Sequence, residues 1–219
     1  MGYKKKIAIF DLDGTLIDAY DSIYKTIDFI CEKINCEKFD YERVKRAVGG
    51  GDLKLICNLF DKDKIEVAHK LYREYYLNFL KGNVKLMRGC IEILSQLKEK
   101  KLKIAVATNR SNFCLDFLLK ESGIKNFFDI ILCADDVENP KPHPEIILKI
   151  LEKTGFKKEE TFYVGDMDID YETGKNAGVD TFIVLTGSCR KEDFLEYKNP
   201  LIFEDLIQLK KFLIENILI

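Results

Sequence analysis

Asp11 and Asp13 stand one residue apart at the end of a short apolar run, Ile7-Ala8-Ile9-Phe10. The run has no breakers and reads as a strand buried on both faces. Two carboxylates at the mouth of such a strand repel each other. The pair persists only where a cation or a proton neutralises it. Gly14 follows, a residue suited to a sharp exit from the strand. A plain strand ending in an Asp-rich turn carries the same signature, so the pair gains meaning only from the rest of the chain.

Further chemistry-bearing residues recur at comparable places. Lys103–Ala107 reads as a second buried strand and ends in Thr108-Asn109. Thr161–Val164 reads as another and ends in Gly165-Asp166, with Asp170 four residues on. Asp11, Thr108 and Asp166 thus each follow the last apolar residue of a different strand. Lys141 lies between Pro140 and Pro142. Alone it reads as an exposed loop lysine. His143, next to it, reads as a surface residue.

These ends need a frame that brings them together. Ile23, Ile27, Ile30 and Ile34 recur at helical spacing, as do Ile65, Ala68, Leu71 and Tyr75, so Asp21 to about Phe79 reads as helical throughout. The interleaved aromatics read as packing between helices. After Gly82 and Gly89 the rhythm becomes alternating helix and strand: a helix over Cys90–Lys100, the strand to Ala107, and a helix from Ser111 to about Ser122. Strands follow at Ile130–Cys133, Thr161–Val164, Thr181–Val184 and Leu201–Phe203, with helices from near Pro144, after Asp166 to Asn176, and from Glu204. Alternation of this kind implies an α/β fold, a doubly wound, three-layer parallel sheet. Ligands in that architecture sit beyond the carboxyl ends of the strands, where strand order reverses.

Composition narrows the setting. The chain has 219 residues, 47% hydrophobic and 33% charged, with a net charge of -2, which gives no reason to expect a nucleic-acid partner. No apolar stretch reaches membrane-spanning length and the start lacks a signal-peptide core, so no membrane partner and a cytoplasmic setting are expected. Gly2 suggests myristoylation, but Lys6 occupies the position that needs Ser or Thr. The seven scattered cysteines form no Cys-x-x-Cys pair and read as buried free thiols.

Asp-Leu-Asp-Gly-Thr at Asp11, Ala-Thr-Asn at Ala107, Pro-Lys-Pro at Pro140 and Gly-Asp-x-x-x-Asp at Gly165 resemble, in order, the four motifs of the haloacid dehalogenase superfamily. Ala47-Val48-Gly49-Gly50-Gly51 and the stretch from Tyr163 to Val179 are similar to its phosphoglycolate-phosphatase-like branch. Arg88-Gly89 departs from the Pro-Gly common in relatives. The resemblance implies a Rossmann-like core of residues 1–16 and 86–219, with an all-helical type 1 cap inserted at 17–85. It implies Mg²⁺ held by the side chains of Asp11 and Asp166 and the carbonyl of Asp13, with Asp170 fixing the metal's surroundings. It also implies Asp11 as nucleophile toward a small phosphate monoester, Asp13 as acid and base, and Thr108, Asn109 and Lys141 around the phosphoryl group.

That chemistry is physically coherent. A phosphate ester repels a carboxylate nucleophile unless cations compensate. An aspartyl phosphate splits one hard displacement into two easier ones. The triple-glycine turn is either a helix stop or a loop that approaches an anion. With Arg43, Arg46 and Lys54 near in sequence, Gly50 and Arg46 are candidates to read a second anionic group of the substrate. Phosphoglycolate is one expected substrate; a pyrophosphatase or a β-phosphoglucomutase-like phosphotransferase would keep the same motifs. Asp13 disfavours a dehalogenase. The long helical insertion disfavours a phospho-receiver domain, and filled catalytic positions disfavour a pure binding module. A monomer or homodimer is expected.

Overall fold

The structure, a computed structural model, describes residues 4–198 and 200–217; Gly2 lies outside them. Strand β1 (Ile7–Phe10) is wholly buried. The chain then passes through a two-residue strand, β2 (Ile17–Asp18), into four helices: α1 (Tyr20–Lys33), α2 (Tyr41–Ala47), α3 (Asp52–Leu59) and α4 (Ile65–Leu80). It returns through β3 (Lys85–Leu86) and alternates: α5 (Cys90–Glu99), β4 (Lys103–Ala107), α6 (Asn112–Glu121), β5 (Ile130–Leu132), α7 (Glu145–Thr154), β6 (Thr161–Gly165), α8 (Asp168–Ala177), β7 (Asp180–Val184), β8 (Leu201–Phe203) and α9 (Leu206–Asn216).

Six strands form one sheet in the order β5-β4-β1-β6-β7-β8, and each neighbouring pair is parallel. Side chains alternate along β1 with the strand's period of two. Ala8 and Phe10 pack with Leu94, Leu97, Leu118 and Leu209 from α5, α6 and α9; Ile7 and Ile9 pack with Ile146, Ile147, Ile150 and Ala177 from α7 and α8. This is the doubly wound, three-layer α/β fold. The chain runs outward from β1 through β4 to β5, then crosses back to place β6 on the other side of β1. Strand order therefore reverses at β1 and β6, and the loops after them diverge to leave a crevice.

The four inserted helices bury one common face. Within α1, Ile23, Ile27 and Ile30 are inside, as their spacing predicts. In α4 the buried stripe is Ala68, Tyr72, Tyr76 and Leu80, one step round from the predicted Ile65-Ala68-Leu71-Tyr75 stripe. The difference arises because α4 packs on two sides: Phe29 of α1 stands against Tyr75 at 4.8 Å and Phe79 at 5.5 Å. β2 and β3 pair antiparallel, Ile17 with Leu86 and Asp18 with Lys85, so the two chain crossings of the insertion lie side by side. Two-residue strands are too short to show alternation in sequence. Cys57 is exposed, against the expectation of burial, while Cys31, Cys90, Cys114 and Cys133 are buried free thiols. Among the described residues no helix is long and apolar enough to cross a membrane.

Candidate active site

The acids gather at the crevice. Asp11 extends β1 by one residue, its N–H donating to the Val164 carbonyl at 2.8 Å. Asp166 follows β6, and Asp170 sits in the first turn of α8. Carboxylate oxygens of Asp11, Asp166 and Asp170 lie within 4.8 Å of one another, and all three residues are buried. Burial pushes the Asp11 carboxyl up to about 7, with Lys141 pulling the other way and Asp170 and Asp13 adding to the rise. Burial, then Asp170 and Asp11, also holds Asp166 well above the usual carboxylate range.

Glycines make room for this crowding. A Cβ on Gly187 would stand 1.6 Å from Asp166 Oδ2, and one on Gly165 would stand 2.2 Å from Asp170 Cβ. The Asp166 carboxylate accepts from Thr15 Oγ1 at 3.1 Å and from the Ser188 N–H at 3.2 Å. Among the described residues Tyr20 OH and Ser188 Oγ are buried without a well-formed hydrogen bond, and a Cβ on Gly14 would lie 2.5 Å from both Tyr20 OH and Asp166 Oδ2. Clustered hard oxygen ligands beside such hydroxyls fit a small, water-retaining divalent cation such as Mg²⁺.

Lys141 is the cation in this cluster. Its Nζ donates to Asp11 Oδ1 at 2.5 Å, Asp170 Oδ1 at 2.6 Å and Tyr163 OH at 3.0 Å. Burial lowers its pKa, but Asp11 and Asp170 more than offset that and leave it raised. The loop is held by Asn109, whose Oδ1 accepts from the Lys141 N–H at 2.9 Å. Asn109 Nδ2 donates to the carbonyls of Lys141 and Gly49, at 3.0 and 3.1 Å. Its amide is therefore spent on bracing Lys141 and the insertion, which leaves the backbone N–H as the donor of the two, backbone or amide, that the sequence reading expected from Asn109. Thr108 Oγ1 accepts from the Arg110 N–H at 3.1 Å, which leaves its own proton free to donate.

Arg110 is the functional residue that sequence reasoning missed. Its Nε donates to Asp13 Oδ2 at 2.8 Å while Nη2 binds Asp13 Oδ1, a two-pronged clamp. Its Nη1 donates to Tyr76 OH of α4 at 2.9 Å. Burial works against the charge, yet Asp13 outweighs it and keeps the guanidinium protonated. The available signal was its place directly after Thr108-Asn109 at a strand end.

A cavity with about 530 Å³ of empty space, partly open to solvent, lies between sheet and insertion. Asp11, Asp13, Thr108, Asn109, Arg110, Lys141 and Asp170 line the sheet side; Ile23, Val48, Gly49, Gly51, Asp52, Leu55 and Tyr72 line the other. Neither Gly50 nor Arg46 is among the lining residues, and both are exposed. In α2, Val44 and Ala47 are the buried residues. That stripe, three residues apart, leaves Arg46 on the solvent side. Arg43 instead stacks over Phe39, 4.7 Å from the ring centre. Gly51 has φ +88, and a Cβ there would lie 2.8 Å from the Asn109 carbonyl oxygen. Gly51→Ala is expected to unseat the insertion by about 1–2 kcal/mol, lowering kcat/KM roughly tenfold in a protein that still melts cooperatively.

Comparison with known proteins agrees with this geometry. A family model described as haloacid dehalogenase-like hydrolase matches residues 8–184. The chain is 33% identical over 192 residues to the pyrophosphatase PpaX of Halalkalibacterium halodurans, covering 88% of each chain. It is 32% identical over 183 residues to the phosphoglycolate phosphatase of Aquifex aeolicus, covering 83% of this chain and 85% of that one. A solved Bacteroides fragilis structure, described as a haloacid dehalogenase-like hydrolase, superposes with a TM-score of 0.86 at 26% identity, over 94% of this chain and all of the other. The chain belongs to the haloacid dehalogenase-like hydrolases.

Proposed function

We propose that this protein hydrolyses small phosphate monoesters with Mg²⁺ through an aspartyl phosphate on Asp11. The observation that carries the reading is the setting of the Asp11 carboxylate. Lys141 holds Oδ1, and among the described residues no protein donor meets Oδ2 at the cavity wall. The free oxygen attacks phosphorus, the ester P–O bond breaks, and the departing oxygen takes a proton from Asp13, which enters this step protonated on an oxygen that the Arg110 fork has released. Water then attacks the phosphoryl group, Asp13 accepts its proton, and inorganic phosphate leaves with Asp11 restored. Thr108 donates to a phosphoryl oxygen and Lys141 offsets its charge. Asp11, Asp166 and the Asp13 carbonyl would hold Mg²⁺, with Asp170 orienting Lys141. When bound, the ion screens the negative charges of nucleophile and ester.

The helical insertion, residues 17–85, serves as a cap that excludes water, hinged where β2 and β3 cross. The two relatives quoted above carry names for different substrates, so what they share is phosphoryl chemistry, and the leaving group is what differs. Free thiols and a net charge of -2 support a cytoplasmic enzyme of small molecules.

Phosphate release from a panel of small esters, lost on EDTA treatment and restored by Mg²⁺, tests this reading. Activity unaffected by chelation would overturn it. A second expectation concerns stability. Because Asp11 and Asp166 are raised, the native metal-free state binds more protons than the unfolded chain from about pH 4 to about pH 7. Its stability therefore falls as pH rises through that window. Mg²⁺ needs the ionised carboxylates, so its gain in Tm is expected to be larger near pH 8 than near pH 5. An equal gain at both would contradict the carboxylate ligand set.

A further inference from the structure

Beside the phenol of Tyr72, the insertion brings one ionisable side chain to the cavity wall, the acid Asp52. Asp52 opens α3 directly after the Gly51 turn. Its Oδ2 lies 3.1 Å from Nε2 of His69 on α4, and its side chain is 16% exposed. The remaining cap lining is apolar or aromatic: Ile23, Val48, Leu55 and Tyr72. Burial lifts the pKa of the Cys114 thiol on the opposite wall, Arg110 opposes that rise, and Asp13 and Asp52 add to it. A carboxylate in the first turn of a helix is stabilised in its charged form by the N-terminal N–H groups. Those same groups would explain Asp52 as a purely structural residue, except that its position on the cavity wall makes any bound leaving group meet it.

The two cations of the lining are already engaged. Arg110 is clamped on Asp13, and Lys141 is shared by Asp11 and Asp170. A phosphoryl group would draw on Lys141 and Mg²⁺. A second anionic group on the substrate would find no uncommitted lining cation and would face Asp52. A hydroxyl or ammonium group would instead find an acceptor whose orientation His69 fixes, above apolar side chains that suit a short carbon chain. An acceptor left without its donor in such a site is costly, which makes it selective.

We propose that Asp52 selects leaving groups that carry hydrogen-bond donors, so that the substrates are monophosphates of polyols or amino alcohols rather than dianionic compounds such as phosphoglycolate or pyrophosphate. This rests on the phosphatase reading above and replaces the expectation that Arg46 and Gly50 read a second anion. Asp52 is a specificity residue; it takes no part in the transfer of the phosphoryl group.

The test compares kcat and KM for glycerol phosphate, phosphoethanolamine, phosphoglycolate, pyrophosphate and a neutral aryl phosphate, in wild type and in Asp52→Asn. Wild type is expected to favour the first two over phosphoglycolate and pyrophosphate by about tenfold or more in kcat/KM. The glycerol and ethanolamine esters separate hydroxyl from ammonium recognition. Asp52→Asn is expected to shrink that preference about tenfold, chiefly through KM, with the aryl ester changed less than twofold. A wild-type preference for phosphoglycolate or pyrophosphate would overturn the proposal, as would an equal loss on all esters, which marks a structural role. Turnover of the aryl ester without discrimination sinks this inference alone. No turnover of any ester sinks the phosphatase reading and this with it.

Discussion

Asp11→Asn will lose turnover of every phosphate ester by about four orders of magnitude or more, and acid quenching will trap no phosphate on the protein. Asparagine keeps the shape of aspartate and can still accept from Lys141 Nζ, which retains Asp170 and Tyr163 as partners. What it lacks is the anionic oxygen that attacks phosphorus. The same substitution separates chemistry from folding through its pH dependence. Burial holds Asp11 at about 7 in the metal-free protein, against the ordinary value near 4 in the unfolded chain, so only below about pH 4 is the wild-type carboxyl neutral in both states and the variant expected to melt at the same temperature. Near pH 8 the wild type carries an added buried charge in the cluster with Asp166 and Asp170, and the variant should then melt higher. Activity within a hundredfold of wild type, in protein shown free of deamidation back to Asp, would dismiss Asp11 as nucleophile.

The strand ends were legible because chemistry and burial change abruptly there. Ile7–Phe10, Lys103–Ala107 and Thr161–Val164 are runs that only a buried parallel strand explains, and the first polar residue after each marks the mouth of the sheet. Lys141 was legible only jointly, since its loop sequence says nothing of the Asn109 brace that turns it inward. The cap side was read least well. Helical periodicity finds the buried stripe of α1 but misses by one step that of α4, where two packing surfaces blur the period. Sequence proximity placed Arg46 at the glycine turn, yet α2 rotates it to solvent; Asp52, just past that turn, is the residue that reaches the cavity. Gly187 and Ser188 meet Asp166 from a loop after β7, with no motif to announce them.

Arg110 shows the most consequential gap, and it carries the second large expectation. An arginine in a polar loop reads as a solvated charge, and nothing local tells of a partner at Asp13, 97 residues earlier. Fork geometry lets one guanidinium hold both oxygens of Asp13 and still reach Tyr76 of the insertion. In Arg110→Ala the Asp13 carboxylate, 14% exposed, loses the cation paired with it, and Tyr76 OH loses its donor. Breaking a largely buried pair from one side costs about 3 kcal/mol, a fall in Tm of roughly 6–12 °C for a chain of this size. Without the clamp Asp13 no longer has a fixed position beside the leaving group, and the insertion loses a tie to the sheet; kcat/KM should fall about a hundredfold. Adding Asp13→Asn to Arg110→Ala removes the orphaned charge. The double variant should regain about half the lost stability while turning over poor leaving groups no faster than Arg110→Ala. Lysine at position 110 should restore charge without the fork, recovering stability more fully than activity. Strictly additive stability losses for Arg110→Ala and Asp13→Asn would mean that the two side chains do not act as a pair.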